Sequence, residues 1–342
     1  CLDPSCASAC LVGAFDKTPD GAVVYNEEIK YDKIDFDDME DQSFKLDSTG
    51  GWTAMIEHYF LSAWIAEPEQ SNLLYSIANT KRYPATYTIG MRSQNQTIAA
   101  GQQAEFNSQL FVGPKLVNRL EEISPGLELT VDYGALTFLS KPLYWLLSFF
   151  NDIAGNWGVA IILLTLLVKA VFFKLSETSY KSMAKMRKVA PRLKTLKERY
   201  GDDRQKMNQA MMDLYKQEKI NPMGGCLPIL VQIPVFIALY WALLESVELR
   251  QAPFILWIDD LSVRDPFFVL PLIMGISMLV QQKLNPAPPD PIQAKVMMAL
   301  PLVFTVFFAF FPSGLVLYWV VNNLLSIAQQ YVITKRIEAG ED

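Results

Sequence analysis

The sequence has little of the chemistry on which most catalytic and metal sites depend. Its 342 residues include one histidine, His58, and four cysteines, which makes a histidine-based triad improbable and a multi-histidine zinc site impossible. Three cysteines, Cys1, Cys6 and Cys10, lie at the start and Cys226 stands alone, with no CxxC spacing among them. A GxxxxGK[ST] phosphate-binding loop is also missing. The sequence therefore predicts a protein that is not an enzyme and needs neither a metal nor a cofactor.

Charge and hydrophobicity divide the chain into two unlike parts. Residues 1–150 carry ten Lys and Arg against twenty Asp and Glu, whereas nearly everything after Trp157 lies in long apolar runs split by a basic stretch. Hydrophobic residues make up 51% of the whole chain. This pattern predicts an acidic soluble domain followed by a polytopic membrane region.

Five apolar runs approach the length of about 20 residues that a membrane-spanning helix needs. An odd number of spans places the two ends of the chain on opposite sides of the membrane. Residues 174–220 contain thirteen Lys and Arg against six Asp and Glu, which assigns them to the cytoplasm. Residues 1–150 then lie outside. An exported domain without its own export signal implies a signal-anchor helix upstream, and Cys1 is compatible with a lipoprotein residue, half of a disulfide or an arbitrary fragment start.

The acidic part, residues 1–150, is predicted to contain a β-domain. Residues 85–135 alternate polar and apolar side chains in short runs, "ATYTIGMRS", "QTIAAGQQAEF" and "LELTVDYG", as half-buried strands do. The stretch "GWTAMIEHYFLSAWI" (51–65) fits either a pair of core strands or a short helix. We therefore expect an all-β sandwich that lacks its first strands.

An amphipathic helix is predicted between this domain and the first span. Leu143, Leu146, Leu147 and Phe150 recur at helical spacing, and Pro142 falls where a proline in the first turn is tolerated. The stretch is too short to cross the bilayer, so we expect it to lie in the outer interface.

The basic stretch has the period of two polar helices joined at Gly201–Asp203, which predicts an antiparallel hairpin. Two interpretations remain open. The hairpin is either self-contained with solvated charges, or its methionines and cations form a surface for apolar partners and for anionic lipid or ribosomal RNA.

Lys169 interrupts the first span. The apolar residues of that span contribute roughly −3 to −6 kcal/mol to insertion and a central lysine costs roughly 2.5–3.5 kcal/mol, so the helix should still insert. The lysine stem can reach the inner headgroups, or its ammonium can lie in a water-filled pocket. Polar residues elsewhere in the spans favour the pocket. They are Thr165, Gln232, Tyr318, Asn322 and Asn323.

The second span contains Pro228 and Pro234 and begins at the Gly224–Gly225 pair. Each proline frees a carbonyl that lipid cannot satisfy. This span is therefore expected to bend around a hydrated groove.

Three stretches closely resemble the YidC membrane-protein insertases of Gram-negative bacteria, relatives of the mitochondrial oxidase-assembly and chloroplast albino-type factors. They are "NPMGGCLPILVQIPVFIALYWAL", "FPSGLVLYWVVNNLLSIAQQ" and "SVELRQAPFILWIDDLS". The resemblance runs from about Gly50 to Arg336. It implies an α-helical polytopic protein of the bacterial inner membrane, with a five-helix insertase core, a cytoplasmic hairpin and a periplasmic β-sandwich.

The resemblance also implies a function. Such a protein inserts membrane proteins and helps them fold, alone or with the Sec translocon, through a hydrophilic groove open to the cytoplasm and the lipid. The implied partners are nascent membrane-protein clients, Sec with its accessory subunits, membrane lipids and, weakly through the hairpin, the ribosome, but not DNA. A transporter or channel with a polar intramembrane site is the alternative, although no inverted repeat is visible.

Site residues follow from the same resemblance. Lys169 occupies the position of the groove charge, where the family usually has an arginine. A lysine keeps the charge but lacks the planar fork of guanidinium. The implied groove lining is Thr165, Gln232, Tyr318, Trp319 and Asn322, and the implied sliding face for clients is Ile233, Pro234 and Phe307.

The predicted organisation follows the chain in eleven segments. These are a partial periplasmic β-sandwich (1–135), an interfacial helix (136–156), a first span (157–174), a cytoplasmic hairpin (175–222), a second span (223–249), a periplasmic loop (250–265), a third span (266–283), a cytoplasmic loop (284–294), a fourth span (295–311), a fifth span (315–334) and a cytoplasmic tail (335–342).

Overall fold

The structure, a computed structural model, describes residues 21–81, 83–95, 97–201, 203–218, 227–285 and 291–339. The four cysteines and the Gly224–Gly225 pair lie outside these residues. The chain divides into two units, Cys1–Asp132 with Glu245–Val247, and Tyr133–Leu244 with Glu248–Asp342.

Two antiparallel sheets build the first unit, one with strand order β2-β1-β4-β5-β8 and the other with order β3-β6-β7. Ala22 and Val24 of the first sheet and Leu74 of the second share one buried cluster, so the sheets pack face to face. This confirms the predicted β-sandwich. The strands are β1 Gly21–Asn26, β2 Lys30–Ile34, β3 Lys45–Thr49, β4 Trp52–Ile56, β5 Phe60–Ala66, β6 Ser71–Asn79, β7 Thr86–Ser93 and β8 Ser108–Pro114.

The stretch 51–65 forms the antiparallel pair β4 and β5, not a helix. The predicted strand "LELTVDYG" is wrong, because Leu127–Thr130 form a 3-10 helix. That helix follows Gly126, whose φ of +79° suits glycine, and the Thr130 hydroxyl donates to the Leu127 carbonyl at 2.7 Å. "QTIAAGQQAEF" contains no strand among its described residues. Two short helices complete the unit, α1 Phe36–Asp41 and α2 Val117–Ile123.

The second unit is helical and has a single large apolar core. Leu147, Ile161, Leu239, Met274 and Val316 are each at most 1% exposed there. The helices are α3 Thr137–Ala154, α4 Trp157–Val171, α5 Phe173–Tyr200, α6 Arg204–Gln217, α7 Leu227–Glu245, α8 Val269–Leu284, α9 Pro291–Phe308 and α10 Ser313–Ala339.

Large apolar side chains also cover the outside of this bundle. Ile276 on α8 is 61% exposed and Leu302 on α9 is 70% exposed, a distribution that suits contact with lipid rather than water. No single helix within the described ranges combines the length and apolarity of a complete span. Trp157–Val171 and Phe173–Leu193 satisfy both criteria together, as a pair bent by 66°.

Helix α3 begins at Thr137, within one residue of the predicted start of the interfacial helix, but the predicted place of Pro142 in the first turn is wrong. Because it starts at Thr137, Pro142 lies in its second turn rather than its first. The helix buries Leu143 and Leu147 in the core. Its opposite side exposes Phe138, Trp145, Phe149 and Ile153. Apolar residues on both sides are consistent with a helix between protein and lipid.

Helices α5 and α6 form the predicted hairpin. At the turn, the Asp203 carboxylate accepts a hydrogen bond from the Lys206 backbone N–H at 3.1 Å, which caps α6 and lowers the pKa of that carboxyl. Met186 and Met211 pack inside the hairpin against Val189. These contacts support the self-contained interpretation for Met186 and Met211, whereas Met212 on α6 is 47% exposed.

Candidate functional site

A cavity with a volume of about 420 Å³ lies among α4, α5, α7, α8, α9 and α10. We term it the polar cavity because hydroxyl, amide and ammonium groups alternate with apolar side chains along its wall. The lining residues are Lys169, Ser176, Ser179, Tyr180, Met183, Gln232, Ile233, Phe236, Met278, Gln281, Gln282, Asn285, Met297, Leu300, Pro301, Phe304, Tyr318, Trp319, Asn322, Asn323 and Ser326.

Lys169 is held in the wall of the polar cavity by α10. Its Nζ donates a hydrogen bond to Ser326 Oγ at 2.7 Å, and the same hydroxyl donates to the Asn322 carbonyl at 2.7 Å. Ser326 is therefore both acceptor and donor, which fixes its hydroxyl orientation. The ammonium retains two further donor positions beside the cavity.

Amide groups connect α7 and α8 to α10. Gln232 Nε2 donates to Asn322 Oδ1 at 2.7 Å, and the Tyr318 side chain also contacts Gln232 through a hydrogen bond. Asn323 Nδ2 donates to Ser277 Oγ at 3.1 Å. Polar side chains that face other helices are the usual arrangement inside membrane bundles.

Thr165 does not line the polar cavity. Its side chain is only 1% exposed, and its Oγ1 donates to the Ile161 carbonyl at 2.6 Å. A threonine hydroxyl can bond in this way to the preceding turn of its own helix. The sequence-based role of Thr165 as a lining residue is therefore not supported by its position.

Aromatic rings form one wall of the cavity. The Phe236 ring lies 4.8 Å from the Trp319 ring and 6.2 Å from the Tyr318 ring, centroid to centroid. Trp319 Nε1 is buried and has no acceptor among the described residues. Its N–H is therefore an unsatisfied donor within the aromatic wall.

The three residues implied for the sliding face all carry exposed apolar surface. Ile233 is 46% exposed and Phe307 is 52% exposed, and Pro234 is also exposed. Only Ile233 also lines the polar cavity. Pro234 lies inside α7, where it cannot donate to the Leu230 carbonyl. For Pro228 the carbonyl four residues earlier is that of Gly224, which lies outside the described residues.

The opposite end of the bundle is closed by residues 252–268 together with Ser313 and Gly314, which we term the loop end. Asp265 is 1% exposed and accepts hydrogen bonds from Trp257 Nε1 at 2.9 Å, Phe267 N at 3.0 Å and Leu270 N at 2.7 Å. Ser313 N donates to the Val263 carbonyl at 2.7 Å. Gly314 N donates to the Leu261 carbonyl at 2.9 Å.

Some residues that line the polar cavity were not predicted from the sequence. Ser326 follows Tyr318 and Asn322 at intervals of four along α10, so helical spacing alone places it on their face. Ser176 and Ser179 were assigned to the cytoplasmic hairpin, because the cations after Lys174 obscure where the wall of the cavity ends.

Two family models match the chain. The model described as "60Kd inner membrane protein" matches residues 149–340, and the model described as "YidC periplasmic domain" matches residues 11–146. The first covers the helical unit from residue 149 onward, including the polar cavity. The second covers the β-sandwich.

Curated relatives agree with these matches. The "Membrane protein insertase YidC" of Nitrosococcus oceani is 61% identical over 328 residues, which are 95% of this chain and 59% of the relative. The protein of the same name from Thioalkalivibrio sulfidiphilus is 63% identical over 310 residues, 90% of this chain and 56% of the relative. The chain thus spans less than two thirds of the length of these relatives.

A solved structure, "Active YidC insertase crystal structure with the first transmembrane domain resolved", shares the fold with a TM-score of 0.51 and 19% identity, covering 91% of this chain and 83% of that one. Because the family model for the inner membrane protein covers more than half of the chain, the chain belongs to the 60Kd inner membrane protein (YidC) family.

Proposed function

We propose that this protein is a membrane protein insertase that receives the polar segment of a client in the polar cavity. The supporting observation is the position of Lys169, whose ammonium is bonded to Ser326 at 2.7 Å beside a cavity of about 420 Å³. A cation and water inside the inner leaflet shorten the low-dielectric path that a hydrophilic client segment must cross. The activity is non-enzymatic and needs no cofactor.

The remaining wall of the cavity suits the apolar part of the same client. Ile233 is exposed at the edge of the cavity, and Phe307 and Pro234 extend the apolar surface on α9 and α7. We propose that the client span slides into lipid along this face while Gln232, Asn322 and Trp319 bond its polar flank. Client hydrophobicity then drives insertion.

The membrane arrangement is part of the same proposal. The five predicted spans cross the inner membrane, the predicted interfacial helix lies at its outer face and the predicted hairpin lies in the cytoplasm, with the cavity open to the cytoplasm. Nascent clients are the primary partners. Association with the Sec translocon, membrane lipids and, weakly through the hairpin, the ribosome is proposed from the family resemblance.

The groove charge is tested by Lys169→Glu in the complete protein, reconstituted into vesicles with a client whose translocated segment is acidic. We expect insertion to fall about tenfold, which corresponds to a loss of about 1.4 kcal/mol of attraction. Lys169→Arg should retain activity because it keeps the positive charge. The yield of protease-protected client measures the effect.

Lys174→Glu is the matched control, since Lys174 is exposed and lies outside the cavity lining. A client with a neutral translocated segment should be insensitive to both glutamate variants. Equal insertion of the acidic client by the wild type, Lys169→Glu and Lys169→Arg would contradict a role for this charge.

A further inference from the structure

A second cavity, with a volume of about 430 Å³, lies between the α4–α5 junction and the last part of α10. Most of its lining is apolar and includes Phe173, Leu325, Ala328 and Val332. We term it the basic groove, because Lys181 and Arg336 also line it. The polar cavity shares only Lys169 with it.

The charges of the basic groove have a positive excess. Lys169, Lys181 and Arg336 line it together with a single carboxylate, that of Glu177. Glu177 Oε1 lies 3.4 Å from Lys181 Nζ, so this carboxylate balances only part of the positive charge. The exposed guanidinium of Arg336 provides a planar fork suited to a phosphate.

The length of the groove matches one leaflet of a bilayer. Between Leu325 and Arg336, α10 rises about 16 Å at 1.5 Å per residue, and half of a hydrocarbon core is about 15 Å. Tyr180 and Ala184 pack against Ile333 and Ile337, which brings the Lys181 turn of α5 to the level of Arg336. Lys181 and Arg336 therefore mark the headgroup end of the groove, whereas Lys169, which donates to Ser326, lies at its deep end beside Leu325.

We propose that the basic groove binds one anionic phospholipid. Its phosphate contacts Arg336 and Lys181, and an acyl chain lies along Phe173, Ala328 and Val332. Basic pockets between membrane helices near the cytoplasmic surface recognise anionic headgroups in this way. The site requires only that the bundle lies in the inner membrane, so it goes beyond client insertion and does not depend on it.

The test measures phospholipid retained by the complete protein after extraction from vesicles of phosphatidylglycerol and phosphatidylethanolamine in equal amounts. Mass spectrometry should find about one phosphatidylglycerol per wild-type chain. Arg336→Gln should lower its retention at least fivefold and abolish the preference over phosphatidylethanolamine. Ala328→Trp should displace both lipids, because the indole fills the apolar part of the groove.

Lys335→Gln is the matched control. Lys335 is the neighbouring exposed cation, lies outside the groove lining and has its ammonium over the Tyr331 ring. Equal loss of phosphatidylglycerol from Lys335→Gln and Arg336→Gln would overturn the proposal, since it would indicate general surface attraction. Capture of a polypeptide rather than lipid by a photo-crosslinker at Ala328 would overturn it as well. Arg336→Gln keeps the test decisive if Ala328→Trp fails to fold.

Discussion

Buried polar groups are satisfied differently at the two ends of the helical bundle: by protein hydrogen bonds at the loop end, and only in part at the polar cavity. At the loop end, the buried Asp265 carboxylate receives three hydrogen bonds from the protein. At the polar cavity, the Lys169 ammonium has one hydrogen-bond partner among the described residues, Ser326, and an open volume beside it. The same bundle is thus sealed by protein contacts at one end and leaves donors and acceptors accessible at the other. This asymmetry is consistent with the proposed function, in which the cavity opens to one side of the membrane.

Close packing at the loop end adds to the difference between the two ends of the bundle. A Cβ atom added at Gly158 would lie 2.0 Å from Cδ2 of Phe254, so the first turn of α4 and the loop are in direct contact. Asn156 Nδ2 adds hydrogen bonds to the Pro253 carbonyl at 3.2 Å and the Phe254 carbonyl at 3.1 Å. Close packing of this kind leaves no room for water between Gly158 and Phe254.

The largest expected effect comes from removing the centre of the loop end. Asp265→Ala leaves three donors without their acceptor, which should destabilise the fold by about 2–4 kcal/mol. For a unit of this size the thermal midpoint should fall by roughly 5–10 °C. Tryptophan fluorescence of the detergent-solubilised protein measures it, because Trp257 itself bonds to Asp265.

Asp259→Ala provides the control for this prediction. Asp259 belongs to the same loop but is exposed, and its loss should change stability by less than about 0.5 kcal/mol. If both variants unfold at the wild-type temperature, the hydrogen bonds to Asp265 do not seal the loop end.

A smaller effect is expected from Gly158→Ala. The added methyl collides with Phe254, and overpacking of this kind should cost about 1–3 kcal/mol. In a Phe254→Ala background the collision is absent, so the same substitution should be neutral or stabilise α4, because alanine is the better helix former. Thermal unfolding of the four proteins forms a double-mutant cycle. Equal costs in both backgrounds would show that the contact is not the cause.

The sequence predicted this asymmetry only in part. Long apolar runs and the charge of residues 174–220 gave the helical unit and its hairpin, and Lys169, Gln232 and Asn322 stood out as polar groups in apolar surroundings. Contacts between distant segments were not accessible from periodicity. Asp265 and Trp257 were read simply as parts of a loop, although their side chains organise the closed end.

Small hydroxyl side chains show most directly what could not be predicted from the sequence. Thr165 and Ser326 each donate to a carbonyl one turn back on their own helix, yet of the two it is Ser326 that also accepts a hydrogen bond from Lys169. A hydroxyl can satisfy itself locally, so its presence in a sequence does not determine whether it faces a cavity. The alternation of polar and apolar side chains also gave a wrong prediction at Leu127–Thr130. There a Pro125–Gly126 turn leads into a 3-10 helix rather than a strand.

The smallest change in stability is expected at the polar cavity. Gln232→Leu removes the donor that lies 2.7 Å from Asn322 Oδ1. Water in the cavity can replace that donor, so stability should change by less than about 1 kcal/mol. Insertion of a client with a polar flank should nevertheless fall two- to threefold (about 0.4–0.7 kcal/mol), because the wall loses an amide. The paired measurements are thermal unfolding and the yield of protease-protected client.

Gln232→Leu can be compared directly with Asp265→Ala, because each substitution removes a hydrogen-bond partner. The difference is that Gln232 lies at the polar cavity, where solvent can replace the lost partner. A midpoint lowered as far as that of Asp265→Ala would mean that Asn322 is left unsatisfied, and hence that the polar cavity is dry. In a dry cavity the Lys169 ammonium could not stabilise a hydrated client segment, and the insertion mechanism would have to operate on the exposed face of Ile233 and Phe307 alone.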